Sequence, residues 1–189
     1  MLNPISFGKI YISKAPVLDA ENKKKVNLDF VEYEPAKDAE HVSDEAKIWR
    51  EGSLFGGFIA SISHDMDFHK GRTRTRYFGL EDEKGHMQAV CEIKPHKSRR
   101  AFELGAIEVN PKNMFGADKQ KYKKLGSSAF CEIIKLAKKE KARYIGLIDL
   151  SGGFWSKMPF IRKFDNNFSD KALFSEDYDE CIKKIDETI

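Results

Sequence analysis

Residues 121–160, KYKKLGSSAFCEIIKLAKKEKARYIGLIDLSGGFWSKMPF, decide how the rest of the chain is read. A short basic loop reaches Gly126 and opens onto a helix. Tyr122, Leu125, Ala129, Phe130, Ile133, Leu136 and Ala137 recur at helical spacing, with lysines and glutamates on the opposite face. Residues 144–150 are an almost unbroken apolar run, the pattern of a central strand buried on both faces. Gly152-Gly153 turns the chain, and Phe154-Trp155 opens a second predicted helix. The first N–H groups of a helix have no intrahelical partner and carry partial positive charge. Beside Lys119, Lys121, Lys123 and Lys124, and with Gly126 and the Ser127 hydroxyl close by, they are suited to hold a phosphate.

Upstream of this stretch lies the clearest β region. Residues 73–80 alternate and are rich in β-branched and aromatic side chains; 81–85 (EDEKG) reads as a turn and 87–93 as a returning strand. A basic loop, KPHKSRR, leads to a third strand at 101–109, closed by Asn110-Pro111. Residues 26–33 read as another strand ending at Pro35, 36–51 as a helix, and 52–66 as a second, apolar helix weakened by Gly52, Gly56 and Gly57. Residues 176–187 read as a terminal helix. The expected order is β, α, α, β, β, β, α, β, α: an α/β chain with an antiparallel meander followed by a strand–helix–strand crossover. We expect 1–24 to be an N-terminal extension contributing at most an edge strand at 5–12, 25–168 the domain, and 169–189 a C-terminal helical tail.

The 189 residues suit one domain. With 41% hydrophobic and 33% charged residues the chain reads as an ordinary globular protein. A net charge of +3 leaves little overall attraction for nucleic acid, so local patches matter more than the total. Cys91, Cys131 and Cys181 stand far apart with no metal-ligand spacing, and reduced thiols are expected. The N-terminus lacks the apolar core of a signal peptide, and no stretch approaches the roughly 20 apolar residues of a membrane span. A cytoplasmic protein without membrane attachment is expected.

Two motifs carry a family resemblance. Lys121-Tyr122-Lys123-Lys124-Leu125-Gly126 stands where the GNAT (GCN5-related N-acetyltransferase) superfamily writes Q/R-x-x-G-x-G/A; Lys124 replaces the first Gly. Gly153-Phe154-Trp155-Ser156-Lys157-Met158-Pro159-Phe160 resembles that superfamily's G-F-Y-x-K-x-G-F, with Trp for Tyr and Pro for Gly. The element order over residues 26–164 agrees. The resemblance implies a GNAT-like acyl-CoA N-acyltransferase fold, a mixed central sheet flanked by helices, with acetyl-CoA as acyl donor and an amine as acceptor. It implies that Ile107 and Val109 hold the cofactor's arm through their backbone, that Lys121, Lys124, Leu125, Gly126 and Ser127 hold its pyrophosphate, and that Trp155 lies against it. In the family a Tyr at the Trp155 position protonates the departing thiolate. An indole N–H has no useful acidity, which leaves water or a nearby hydroxyl, Ser151 or Ser156, for that step.

A base for the amine is sought among the carboxylates of the strand before the loop, Glu103 and Glu108, which period-two alternation places on opposite faces; Glu92 sits on the preceding strand. His64, Asp65, Asp67 and His69 form a polar cluster read as surface, since no further spaced ligands suggest a metal. Arg72, Arg74 and Arg76 alternate onto one strand face, which suits either an anion such as RNA or a solvated face balanced by the acids at 81–83; the solvated face is favoured. The alternative to an enzyme is a non-catalytic module of the same fold that binds a protein or RNA partner. A homodimer is left open.

Overall fold

The computed structural model describes residues 8–51, 57–69, 74–114, 117, 119–147, 155, 158, 160–166 and 169–189. One sheet organises them. It contains β1 (Ile10–Asp19), β2 (Lys25–Tyr33), β3 (Arg76–Glu81), β4 (Met87–His96), β5 (Ala101–Val109), β6 (Tyr122–Lys123), β7 (Tyr144–Leu147), β8 (Arg162–Asn166) and β9 (Ser169–Phe174). Their order across the sheet is β6-β1-β2-β3-β4-β5-β7-β9-β8. Only β5 and β7 run parallel, joined by the crossover helix α3 (Leu125–Lys139); the other neighbours are antiparallel.

Side-chain alternation divides the apolar residues between two faces. Leu28, Phe30, Phe78, Leu80, Cys91, Ile93, Phe102 and Leu104 meet α3 and the terminal helix α4 (Tyr178–Asp186) in the larger core. Phe30 stacks on Phe78 with centroids 5.4 Å apart. Val31, Tyr33, Tyr77, Met87 and Val90 meet α1 (Pro35–Arg50) and α2 (Gly57–His69) in a second core on the opposite face. A mixed sheet flanked by helices is therefore present, as the sequence leads one to expect.

Three segments differ from expectation. Residues 10–19 form a full strand paired with β2 along its length, and Ala15 and Val17 are completely buried. Pro16, which reads as a strand terminator, is tolerated because only Leu18 and Asp19 of β1 pair with β6; elsewhere β1 is an edge and needs no donor there. The helix expected to open at Phe154-Trp155 falls largely on residues outside the described set, and the described residues that follow are not helical. Trp155 occupies a 3-10 position, Phe160 a turn at φ 67°, and 162–166 run as β8, while residues 148–154 lie outside the described set. Pro159 is a helix breaker, and a ring cluster of Tyr144, Phe164 and Phe174 instead holds β8 against β9 and β7. The C-terminal tail expected to be helical begins with β9, so only its second half is α4. Among the described residues no helix is long and apolar enough to cross a membrane.

Candidate functional site

The strand before the basic loop is irregular at one residue. Glu92 pairs with Ala106 but Ile93 pairs with Leu104, so Gly105 is an extra residue, a β-bulge in β5. Period-two counting fails across it. Lys94 faces Glu103, Glu92 faces Ala106 and Val90 faces Glu108, so Glu103 and Glu108 share one face, with Glu92, on the side of α1 and α2. The expectation of opposite faces is corrected, and the bulge is the reason. A Cβ on Gly105 would lie 3.5 Å from the Glu92 carboxyl group, which places that carboxylate directly against the bulge.

Each carboxylate is held differently. The Glu103 carboxylate and the His96 Nε2 are 2.9 Å apart. Glu108 accepts the Ile59 N–H at 2.7 Å and so satisfies one of the open donors in the first turn of α2. Glu92 pairs with Lys94 at 3.1 Å and is 7% exposed. Tyr77 stands opposite Glu92 across the β3–β4 pair. Burial, then the Glu92 and Asp65 charges, push its phenol up to about 12, so Tyr77 stays protonated at neutral pH. Ser151 lies outside the described residues.

Beyond the bulge β5 changes character. Residues 101–104 are buried and pair with β7, whereas 105–109 are half-buried and have no β7 partner among the described residues. Ile107 and Val109 lie in this second half, their side chains packed on the larger core.

At the far end of β5 the chain arrives at the N-terminus of α3. Its N-cap is Lys124, in the left-handed region at φ 66° and ψ 14°, with its side chain exposed and no side-chain cap. The first helical bond runs from the Ser128 N–H to the Lys124 carbonyl at 2.8 Å, which leaves the N–H groups of Leu125, Gly126 and Ser127 ahead of it. In the same turn the fully buried Ser128 hydroxyl has no hydrogen-bond partner among the described residues. Lys121 extends over the Tyr122 ring (4.8 Å) toward Asp82 (3.6 Å). Trp155, 5% exposed, meets the Phe130 ring edge-on at 5.0 Å, within the core under α3.

The loop is fixed by a residue that sequence patterns do not reveal. Buried Asn113 accepts the N–H groups of both Lys121 and Tyr122 at 2.9 Å and donates to Gln88 Oε1 at 2.8 Å. Gln88 in turn donates to Asp82 Oδ2 at 3.2 Å. The relay runs from the β3–β4 turn to the start of the loop, and the Asp82 carboxylate sets the direction of each amide. The Asn110-Pro111 turn marked the loop but not this anchor. Glu92 was visible in the sequence, but its place against the bulge follows only from the register.

The remaining sequence candidates are accounted for locally. Arg76 grips Glu32 with Nε (2.7 Å) and Nη2 (2.9 Å), gives Nη1 to Glu140 (2.6 Å), and lies 5.0 Å over Phe78. Its balancing acids are thus Glu32 and Glu140, not those at 81–83; Arg72 lies outside the described residues. The three cysteines are buried thiols outside any disulfide, and burial pushes the Cys131 and Cys181 thiols up to about 12. No group of metal-ligating side chains occurs among the described residues.

Neither a protein-family model nor a curated protein matches the sequence. Solved structures do match the fold. A GNAT-family acetyltransferase from Desulfovibrio desulfuricans, described as putative, superposes with a TM-score of 0.53 at 12% identity, over 76% of this chain and 92% of its own. A mutant of the spermidine N-acetyltransferase SpeG from Vibrio cholerae gives 0.52 at 10% identity, over 79% and 96%. A GNAT-family acetyltransferase from Staphylococcus aureus Mu50 gives 0.51 at 9%, over 77% and 98%. The chain has the GNAT acyltransferase fold.

Proposed function

We propose that this protein is an N-acyltransferase that takes an acyl group from acetyl-CoA and passes it to an amine. The observation that carries the reading is the uncapped N-terminus of α3: three open N–H groups and a buried Ser128 hydroxyl without a hydrogen-bond partner among the described residues, with the half-buried outer part of β5 upstream of them. These features fit a pyrophosphate followed by an extended amide-bearing arm. Leu125, Gly126 and Ser127 would hold the phosphates through their N–H groups, with Lys121 and Lys124 adding charge. Ile107 and Val109 would offer backbone groups to the arm, and Trp155 would support α3 from beneath. When bound, acetyl-CoA supplies a thioester carbonyl as electrophile.

The amine's proton needs an acceptor as the new bond forms. Glu103 and Glu108 are the carboxylates on the strand itself, and Glu92 lies against the bulge between them. All three are engaged, but Glu108 holds a backbone N–H of α2, whereas Glu92 and Glu103 pair with the side chains of Lys94 and His96, which favours Glu92 and Glu103 for the base. Ser151 remains the hydroxyl proposed to donate to the thiolate, because Trp155 has no acidic proton to give.

Titration calorimetry with acetyl-CoA tests the reading. Micromolar binding with 1:1 stoichiometry supports it, and no heat at millimolar ligand overturns it. Binding without turnover across a panel of amines would instead favour a non-catalytic module of this fold, a reading that rests on the burial of Trp155 at the position of the missing acid.

A further inference from the structure

The acyltransferase reading leaves the basic segments unused. Three of them, far apart in sequence, meet at the pole of the sheet opposite the α3 N-terminus. Arg74 and Arg76 precede or begin β3, KPHKSRR (94–100) closes β4, and KKEKAR (138–143) ends α3. Strand register places Arg76 beside Ile93, and the Arg143 N–H is bonded to the Arg100 carbonyl at 2.6 Å. Together the segments hold ten Lys or Arg against a single acid, Glu140, in a chain whose net charge is only +3. A cavity of about 460 Å³ opens among them, lined by Arg76, His96, Lys97, Arg100 and Glu140 over a floor of Phe102.

Five of these ten charges are not cancelled locally. Lys97, Arg100, Lys139, Lys141 and Arg143 are exposed and make no ion pair among the described residues. Arg76 is fixed by Glu32 and Glu140, Lys94 pairs with Glu92, and Lys138 pairs with Asp179. The apolar side chains beneath are covered: Ala101, Phe102 and Ala142 are 4%, 4% and 5% exposed. A protein partner would need an exposed apolar or aromatic anchor at the centre of its footprint, and this lining offers none. A phosphate backbone needs only cations at its own spacing.

We propose that this pole binds the phosphodiester backbone of a nucleic acid, without base readout, at a site distinct from the acyl-CoA loop. The proposal stands independently of acyl transfer. The test is fluorescence anisotropy with a labelled single-stranded RNA of about 15 nucleotides, a duplex DNA and poly-glutamate as parallel ligands, at rising salt. The wild-type chain is expected to bind RNA or DNA with micromolar affinity at low salt, with log K falling linearly against log salt by about 0.7–0.9 per phosphate contact. Lys97→Glu/Arg100→Glu is expected to weaken binding at least ten-fold and to flatten the salt slope by about 1–2. Lys23→Glu/Lys24→Glu, the same charge change on the β1–β2 turn at the other pole, should stay within about two-fold.

No nucleic-acid binding at low salt would overturn the proposal. So would equal losses in the two variants, or poly-glutamate binding as tightly as RNA, which would point to an acidic protein. Thermal melting establishes that each variant folds, and Lys97→Gln/Arg100→Gln replaces the reversal if it does not.

Discussion

Lys124 is where the sequence departs most sharply from the family motif, and the backbone gives its cost a sign. A left-handed φ of 66° is strained for a residue with a Cβ by about 1–2 kcal/mol, and glycine relieves that strain at an entropic cost of about 0.5–1 kcal/mol. Lys124→Gly is therefore expected to stabilise the fold by up to about 1 kcal/mol in urea denaturation, while weakening acetyl-CoA binding several-fold through loss of a cation. Glu81 makes a second residue-scale prediction. Its carboxylate accepts hydrogen bonds from Lys9 (2.7 Å) and Tyr33 (2.8 Å) and lies 3.0 Å from His41 Nε2. Burial alone would raise its pKa, but His41, Lys9 and Tyr33 together hold it below the usual value. A depressed folded pKa means stability present above the unfolded value, near 4.3, and lost as pH falls through the folded one. Unfolding free energy should thus decline below about pH 4.5, and Glu81→Gln should flatten that decline while destabilising the protein at pH 7 by about 3 kcal/mol, since Lys9 is left buried without its partner.

At the scale of elements, the loop before α3 depends on a side chain outside it. Asn113→Ala removes the acceptor for two N–H groups, each worth about 1 kcal/mol, and frees Gln88. The expected result is faster amide exchange at Lys121 and Tyr122 and about ten-fold weaker acetyl-CoA binding, with Asn113→Asp recovering part of both because it keeps the acceptor oxygen. Exchange at the two amides checks the anchor even if no cofactor binds. The bulge at Gly105 shows why the site was only half legible. Strands and helices follow from local periodicity, and 101–109 reads correctly as a strand. Face assignment beyond an inserted residue requires the partner strand, so period-two counting puts Glu103 and Glu108 on opposite faces while the register puts them on one. Likewise Pro16 reads as a stop until β1 is known to be an edge.

For the molecule as a whole, a ligand that binds only the folded state must raise its stability. Acetyl-CoA at about 100 times its Kd should add about 2.7 kcal/mol, which for a chain of this size corresponds to a Tm rise of roughly 5–10 °C in a thermal melt. An unchanged Tm at millimolar acetyl-CoA would count against the proposed function and leave the nucleic-acid proposal untouched.

The sequence by itself determined the main elements between residues 25 and 147 and the start of α3, because hydrophobic periodicity and helix-start chemistry are local properties of neighbouring residues. Tertiary structure alone decided which carboxylates share a face, what Lys124's backbone does, which acids neutralise Arg76, and that three basic segments converge at one pole. Each of those depends on strand register or on the packing of distant segments, and register is set by the partner strand and the bulge, which no window of sequence contains.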